Sequence, residues 1–194
     1  LENMTYPIRL NNKYSGIYVN GEYIFTTYSG EPSDCMLKSK DLANWETILF
    51  GHFKTICYVK KYNMYVAIEN YRTSNDFTIY KSQNLEDWET LSFTVGSPNS
   101  VFYDEVHEIC VIFGRNGLIM TSEDLENWTV KNSGSSANLV DMAVRSDGVV
   151  CFVGNKDIIT TTDYEAFTKQ EIQTTVNNQR LVGISCNKNI FVAI

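Results

Sequence analysis

Clusters of basic residues, long apolar runs and paired cysteine motifs are all missing from this chain of 194 residues. Its 16 Lys and Arg face 23 acidic residues, leaving a net charge of −7 with no local concentration of cations. Non-specific nucleic-acid affinity comes mainly from such concentrations, so no nucleic-acid partner is expected. No apolar run reaches the roughly 18 to 20 residues that a membrane-crossing helix needs. The opening stretch "LENMTYPIRL" also lacks the basic-then-apolar plan of a signal peptide. The sequence given is therefore expected to behave as a soluble chain without membrane insertion.

Cysteine is present without a pairing pattern. Cys35, Cys57, Cys110, Cys151 and Cys186 form no C-x-x-C motif and are odd in number. Each lies in an apolar, strand-like run such as "EICVIF" or "VVCFVG". That placement predicts reduced core side chains and points to a cytoplasmic or virion setting over an oxidising one.

Residues for familiar chemistry are sparse as well. Histidine is limited to His52 and His107. His52 reads as standing alone in a connecting segment, so no Ser-His-Asp or Cys-His arrangement can be built on it. "YDEVHEI" groups Asp104, Glu105, His107 and Glu108 in a hairpin turn where solvated charge is expected, and no metal or cofactor is predicted. "GRNG" lacks the Lys and following helix of a phosphate-cradling loop.

What the sequence has in quantity is repetition. A small hydroxyl residue, then Asp or Asn two positions on, then a large aromatic six positions on, occurs in "SKDLANW", "SQNLEDW", "SEDLENW" and "TTDYEAF". The residues are Ser39, Asp41 and Trp45; Ser82, Asn84 and Trp88; Ser122, Asp124 and Trp128; Thr161, Asp163 and Phe167. Successive aromatics are 39 to 43 residues apart. Around each, short runs rich in β-branched and aromatic residues are separated by turn chemistry, including Asn20-Gly21 and Asp147-Gly148. Four strands of about 5 residues with loops of about 4 sum to one propeller blade.

The predicted fold is all-β, a single β-propeller domain over 1–194 with four complete four-stranded blades and a partial fifth. The blades fall near 14–50, 51–94, 95–133 and 134–173, with a partial blade over 174–194 and a closing strand in 1–13. The repeated motif is predicted to be structural: its hydroxyl and carboxylate hold the turn between the third and fourth strands, and its aromatic packs into the seam beside the neighbouring blade.

At these residues the chain resembles the Asp-box, or BNR-repeat, β-propellers, a group that includes the sialidases and whose repeats read approximately S-x-D-x-G-x-x-W. Here the aromatic comes one position early and the Gly is absent. The string "SKDLANWE" is also similar to the repeats of five-bladed glycoside hydrolases of the arabinanase and invertase kind. The resemblance implies a propeller fold. It does not carry over a catalytic set, because "YSGIYVNGEY" offers no Asp where those enzymes place one, and "YPIR" at Tyr6 to Arg9 is only an echo of the sialidase opening motif.

In a propeller, the loops joining second to third strands share a face with the links between blades, opposite the repeated turn. On that loop face the binding candidates are Tyr28, Tyr71, Arg72, Arg115, Asn116, Lys156 and Arg180, with Glu31 beside them. Glu69, with Asp34 or Asp76, is the carboxylate combination to test for glycoside hydrolysis. The predicted function is a non-catalytic binding or scaffold module for glycan or protein, with a glycoside hydrolase as the alternative. An unpaired edge in the fifth blade adds an expectation of self-association.

Overall fold

The computed structural model describes residues 15–27, 34–69, 75–172 and 180–194. Four antiparallel four-stranded sheets follow one another along the chain, each in simple meander order. The first contains β1 (Ser15–Val19), β2 (Glu22–Thr26), β3 (Cys35–Ser39) and β4 (Glu46–Phe50). The second contains β5 (Phe53–Val59), β6 (Met64–Glu69), β7 (Phe77–Ser82) and β8 (Glu89–Phe93). The third has β9 (Pro98–Asp104), β10 (Ile109–Gly114), β11 (Ile119–Ser122) and β12 (Thr129–Lys131), and the fourth β13 (Asp141–Val144), β14 (Val150–Gly154), β15 (Asp157–Thr161) and β16 (Thr168–Glu171). A two-stranded fifth sheet pairs β17 (Ile184–Cys186) with β18 (Phe191–Ala193). The closing strand expected in 1–13 lies outside the described residues.

Side-chain patterning explains why the sheets stack. A strand covered on both faces reads as continuously apolar, whereas one with a wet face alternates or turns polar. The second strands β10 (ICVIFG) and β14 (VCFVG) are almost wholly buried, while the outermost β16 (TKQE) is exposed throughout. First strands of neighbouring sheets adjoin, β1 with β5, β5 with β9 and β13 with β17. Hydroxyls bridge the first two of these contacts: Ser15 Oγ lies 3.1 Å from Thr55 Oγ1, which lies 3.4 Å from Ser100 Oγ.

Each seam between sheets is an apolar cluster. One joins Ile24 and Met36 of the first sheet to Ile56, Tyr65 and Ala67 of the second. The next joins Cys57, Val66 and Ile79 to Cys110, Ile112 and Met120. A third sets Val111, Phe113 and Ile119 against Met142, Val150 and Phe152, and a fourth sets Cys151 and Val153 against Ile184 and Phe191. Four of the free cysteines are buried and Cys186 is partly so.

The repeated turn has the same bonds in all four sheets. Ser39 Oγ accepts the Leu42 N–H at 2.9 Å, and Asp41 Oδ1 accepts the N–H groups of Ala43 and Asn44 at 2.9 and 2.8 Å. Ser82 with Asn84, Ser122 with Asp124, and Thr161 with Asp163 repeat these contacts. The residue after the Asp or Asn is forced into the left-handed region, with φ of 61° at Leu42, 65° at Leu85, 65° at Leu125 and 60° at Tyr164. Left-handed geometry costs a non-glycine residue about 1 to 2 kcal/mol, which the two capping acceptors offset.

This left-handed residue, more than the aromatic, fills the seam. Leu85, Leu125 and Tyr164 are 4%, 3% and 1% exposed and belong to the clusters against the preceding sheet. Trp45, Trp88, Trp128 and Phe167 are only partly buried. Trp88 and Trp128 also donate Nε1–H to the carbonyls of Leu85 and Leu125, at 3.3 and 3.4 Å, and so brace the turn. The motif aromatics Trp88, Trp128 and Phe167 pack against the seam clusters as partly buried side chains, and the residue three positions earlier is the more deeply buried piece.

Leu85→Ala should therefore destabilise the protein by about 2 to 5 kcal/mol, whereas Leu42→Ala, at a side chain 51% exposed, should cost less than about 0.5 kcal/mol. Equilibrium urea unfolding of both variants checks the contrast. The turn carboxylates add an acid dependence. Backbone N–H donors, with the Asn44 and Asn127 side-chain amides, hold Asp41 and Asp124 well below the usual carboxylate range, and backbone donors lower Asp163. A depressed folded-state value stabilises above the unfolded value near 3.9 and is lost as pH falls through the folded value. Urea midpoints should consequently fall below about pH 4. Asp124→Asn should flatten that limb, since Asn84 shows that the amide keeps the acceptor geometry.

Candidate functional site

The loop face carries three groups of predicted site residues. Tyr28, Glu31, Tyr71 and Arg72 lie outside the described residues. Asp34 and Glu69 come together at the link between the first and second sheets. His52 Nδ1 lies 3.1 Å from Asp34 Oδ2, and the His52 N–H donates to Glu69 Oε1 at 3.3 Å. Tyr80 donates its hydroxyl to Glu69 Oε2 at 2.8 Å. His52 is not alone, as its neighbours in sequence imply, because chain closure brings Asp34 across from 18 residues away. Asp34 is 3% exposed, so its carboxylate needs that partner. Asp76 is exposed just before β7.

Arg115 and Asn116 stand one sheet further on, in the turn from β10 to β11. They line a groove of about 450 Å³ with Asn75, Gly96, Ser133 and Ser135. The turn is rigidly built: Asn116 and Gly117 both have positive φ, and a Cβ at Gly117 would meet the Ser135 carbonyl at 2.0 Å. Only glycine permits that approach. Arg115 N–H donates to Ser97 O at 2.9 Å, Gly117 N–H to Ala137 O at 2.7 Å, and Ser133 Oγ to Gly117 O at 2.8 Å. The backbone is thereby pinned to both flanking links while the Arg115 side chain is exposed, with no hydrogen bond or ion pair among the described residues. Lys131, also on the groove, pairs with Glu165 at 2.5 Å.

Lys156 and Arg180 form the third group. Ile172 N–H donates to Lys156 O at 2.9 Å, and Leu181 N–H donates to Asn155 O at 2.6 Å. The two cations flank the same turn by backbone contact; Arg180 is exposed and Lys156 partly so.

On the opposite face, the hairpin expected to carry solvated charge does so at the exposed Glu105 and Glu108, whereas its Asp104 is a seam component. Asp104 is fully buried and accepts the N–H groups of Val106 and His107 at 2.8 and 3.1 Å and the Tyr164 hydroxyl at 2.7 Å. His107 Nδ1 lies 2.6 Å from the same carboxylate, and Nε2 lies 3.1 Å from Thr162 O in the next sheet. Burial, with the Asp104 carboxylate beside it, pushes the Tyr164 phenol far above its ordinary value, so it acts as a donor only. No sequence signal marked this contact, since its partners are 60 residues apart. No group of three or more His, Cys, Asp or Glu is placed to hold a metal among the described residues. None of the described helices is long and apolar enough to cross a membrane.

Comparison with solved structures places this architecture among the β-propellers. A chain of a nidogen–laminin complex superposes with a TM-score of 0.66 at 12% identity, over 93% of this chain and 70% of that one. A catalytically inactive virginiamycin B lyase from Staphylococcus aureus gives 0.61 at 12% identity, over 85% of this chain and 56% of the lyase. YCF48 bound to a D1 peptide gives 0.57 at 16% identity, over 85% of this chain and 55% of that one. The chain thus spans 55 to 70% of the length of these neighbours. No family model and no curated protein sequence matches it. At such identities the likeness establishes the fold, and the fold is shared by binding proteins and enzymes alike.

The buried link across the third seam gives a direct check. Tyr164→Phe keeps the ring packed on Phe152 and His107 and removes only the donor to Asp104. It should cost about 1.5 to 3 kcal/mol in urea unfolding, the range for a bond to a charged group.

Proposed function

We propose that this chain is a non-catalytic propeller module that binds a protein segment on its loop face, with the Arg115 groove as the contact. The observation that carries the reading is the chemistry of that groove. Among the described residues its lining combines amides, hydroxyls, Lys131 and the exposed Arg115 guanidinium, and holds no aromatic ring. Sugar recognition draws on aromatic faces, whereas amide and hydroxyl groups suit a peptide backbone and a guanidinium suits a carboxylate. The volume falls within the usual range for ligand sites. Two neighbours of similar fold are described in complexes, one with laminin and one with a D1 peptide, which fits such a role.

A glycoside hydrolase is the second reading, favoured by the convergence of Asp34 and Glu69 on His52. Against it, both carboxylates are already engaged, Glu69 by Tyr80 and the His52 amide and Asp34 by the imidazole. We assign these acids to holding the link between sheets.

A library of displayed linear peptides, panned against the purified chain beside a glycan panel with a reducing-end assay, separates the readings. Peptides carrying Asp, Glu or a free C-terminus should be enriched, and Arg115→Ala should weaken their binding at least about tenfold, the value of one charge-assisted contact. Released reducing ends that disappear in Glu69→Gln would instead establish the hydrolase.

A further inference from the structure

We infer that His107 is a proton-dependent latch between the third and fourth sheets, whose ring donates from both nitrogens when closed and opens on its Thr162 side when it loses one hydrogen. The surroundings of the ring set this requirement. Nδ1 lies 2.6 Å from Asp104 Oδ2, and Nε2 lies 3.1 Å from the Thr162 carbonyl oxygen. A carbonyl oxygen only accepts. The Asp104 carboxylate already collects the N–H groups of Val106 and His107 and the hydroxyl of Tyr164, so it too meets the ring as an acceptor. Two acceptors need two N–H groups, and a neutral imidazole carries one. The imidazolium is the form that satisfies both contacts at once.

The preceding seam shows what belongs at that carbonyl. There the hairpin of the second sheet sends the Tyr62 hydroxyl to the carbonyl of Glu123, at 2.6 Å. Glu123 and Thr162 hold the same place in the repeated turn, between its hydroxyl residue and its Asp. A donor from the previous hairpin thus meets this carbonyl at both seams, and at the later one it belongs to the side-chain type that changes charge near neutrality. The ring is 22% exposed, so its proton exchanges with solvent. It packs edge-on against Tyr164, with centroids 5.5 Å apart, and Gly148 of the hairpin between β13 and β14 puts no side chain beside Nε2. The other charged groups of these elements are engaged elsewhere: Glu105 and Glu108 with Lys60 and Lys61 at 2.7 and 3.2 Å, Asp147 with Arg145 at 2.7 Å, and Asp163 with N–H groups of its own turn. Contacts that favour a charged ring stabilise the fold fully below the ordinary histidine value of about 6.5, and that contribution is lost as the pH rises above it. A ring that loses one hydrogen keeps Nδ1–H for the carboxylate, the charged partner, and turns a bare Nε2 towards a carbonyl oxygen. The hairpin of the third sheet is then released from the turn of the fourth. This latch lies on the face opposite the Arg115 groove and owes nothing to the function proposed there.

Ring-nitrogen NMR of the isotope-labelled full chain, followed from about pH 5.5 to about pH 8.5, tests the inference across the ordinary histidine range. The His107 ring should pass from two N–H groups to Nδ1–H alone, and the backbone resonances of Thr162 to Tyr164 should move in the same step. In urea unfolding, the wild-type midpoint should exceed that of His107→Gln by at least about twice as much at the lower pH as at the higher, since the amide does not titrate. A neutral ring with its hydrogen on Nε2 would overturn the inference. So would turn resonances that stay fixed, or a midpoint difference that is the same at both pH values. The spectra need only the wild type, so a variant that fails to fold leaves the test intact.

Discussion

The stacking of the first four sheets depends on burying one side chain held in a left-handed conformation at each of the three seams between them. The hydroxyl and the Asp or Asn of the repeated turn cap four successive turns identically, and the cost of positive φ at Leu85, Leu125 and Tyr164 is met by those acceptors. Left-handed geometry aims the side chain back at the preceding sheet, where it joins apolar residues from the first three strands. The absence of glycine from the turn follows from this. A glycine would adopt the same φ without effort and would bring nothing to the seam.

Polar groups serve the same end. Asp104 is buried where a plain apolar contact would have been cheaper, and its carboxylate joins a hairpin of the third sheet to the plug of the fourth through Tyr164. Asp34 and Glu69 do the equivalent work on the loop face through His52 and Tyr80. Among the described residues no buried side-chain nitrogen or oxygen lacks a partner. Such satisfied networks fix one arrangement of neighbouring sheets, since slipping a seam would strand several charged or polar atoms at once. The groove at Arg115 is the contrast: its backbone is pinned on two sides while its cation is left to solvent.

The architecture was legible because its signals are local. Strands such as "VVCFVG", tight turns at Asn20-Gly21, and a motif recurring every 39 to 43 residues each announce themselves within a few positions. Two readings failed for one reason. His52 looked isolated because Asp34 lies in another sheet, and Asp104 looked solvated because Tyr164, which covers it, is 60 residues away. Arg115 and Asn116 could be named from their loop, but the groove they line is made with Asn75, Gly96 and Ser133 from three other segments.

Strand order, blade repeat and turn chemistry are therefore properties of short stretches, governed by β-propensity, alternation and side-chain capping of nearby N–H groups. Burial is not. Leu42 and Leu85 occupy the same place in the same motif with nearly the same φ, and one is bare while the other is sealed. Nothing within the motif distinguishes them, because solvent exposure is set by what the neighbouring sheet on that side brings to the contact. The same holds for Asp34, Glu69 and Asp104: each carboxylate is written in the chain, and its partner is chosen by the fold.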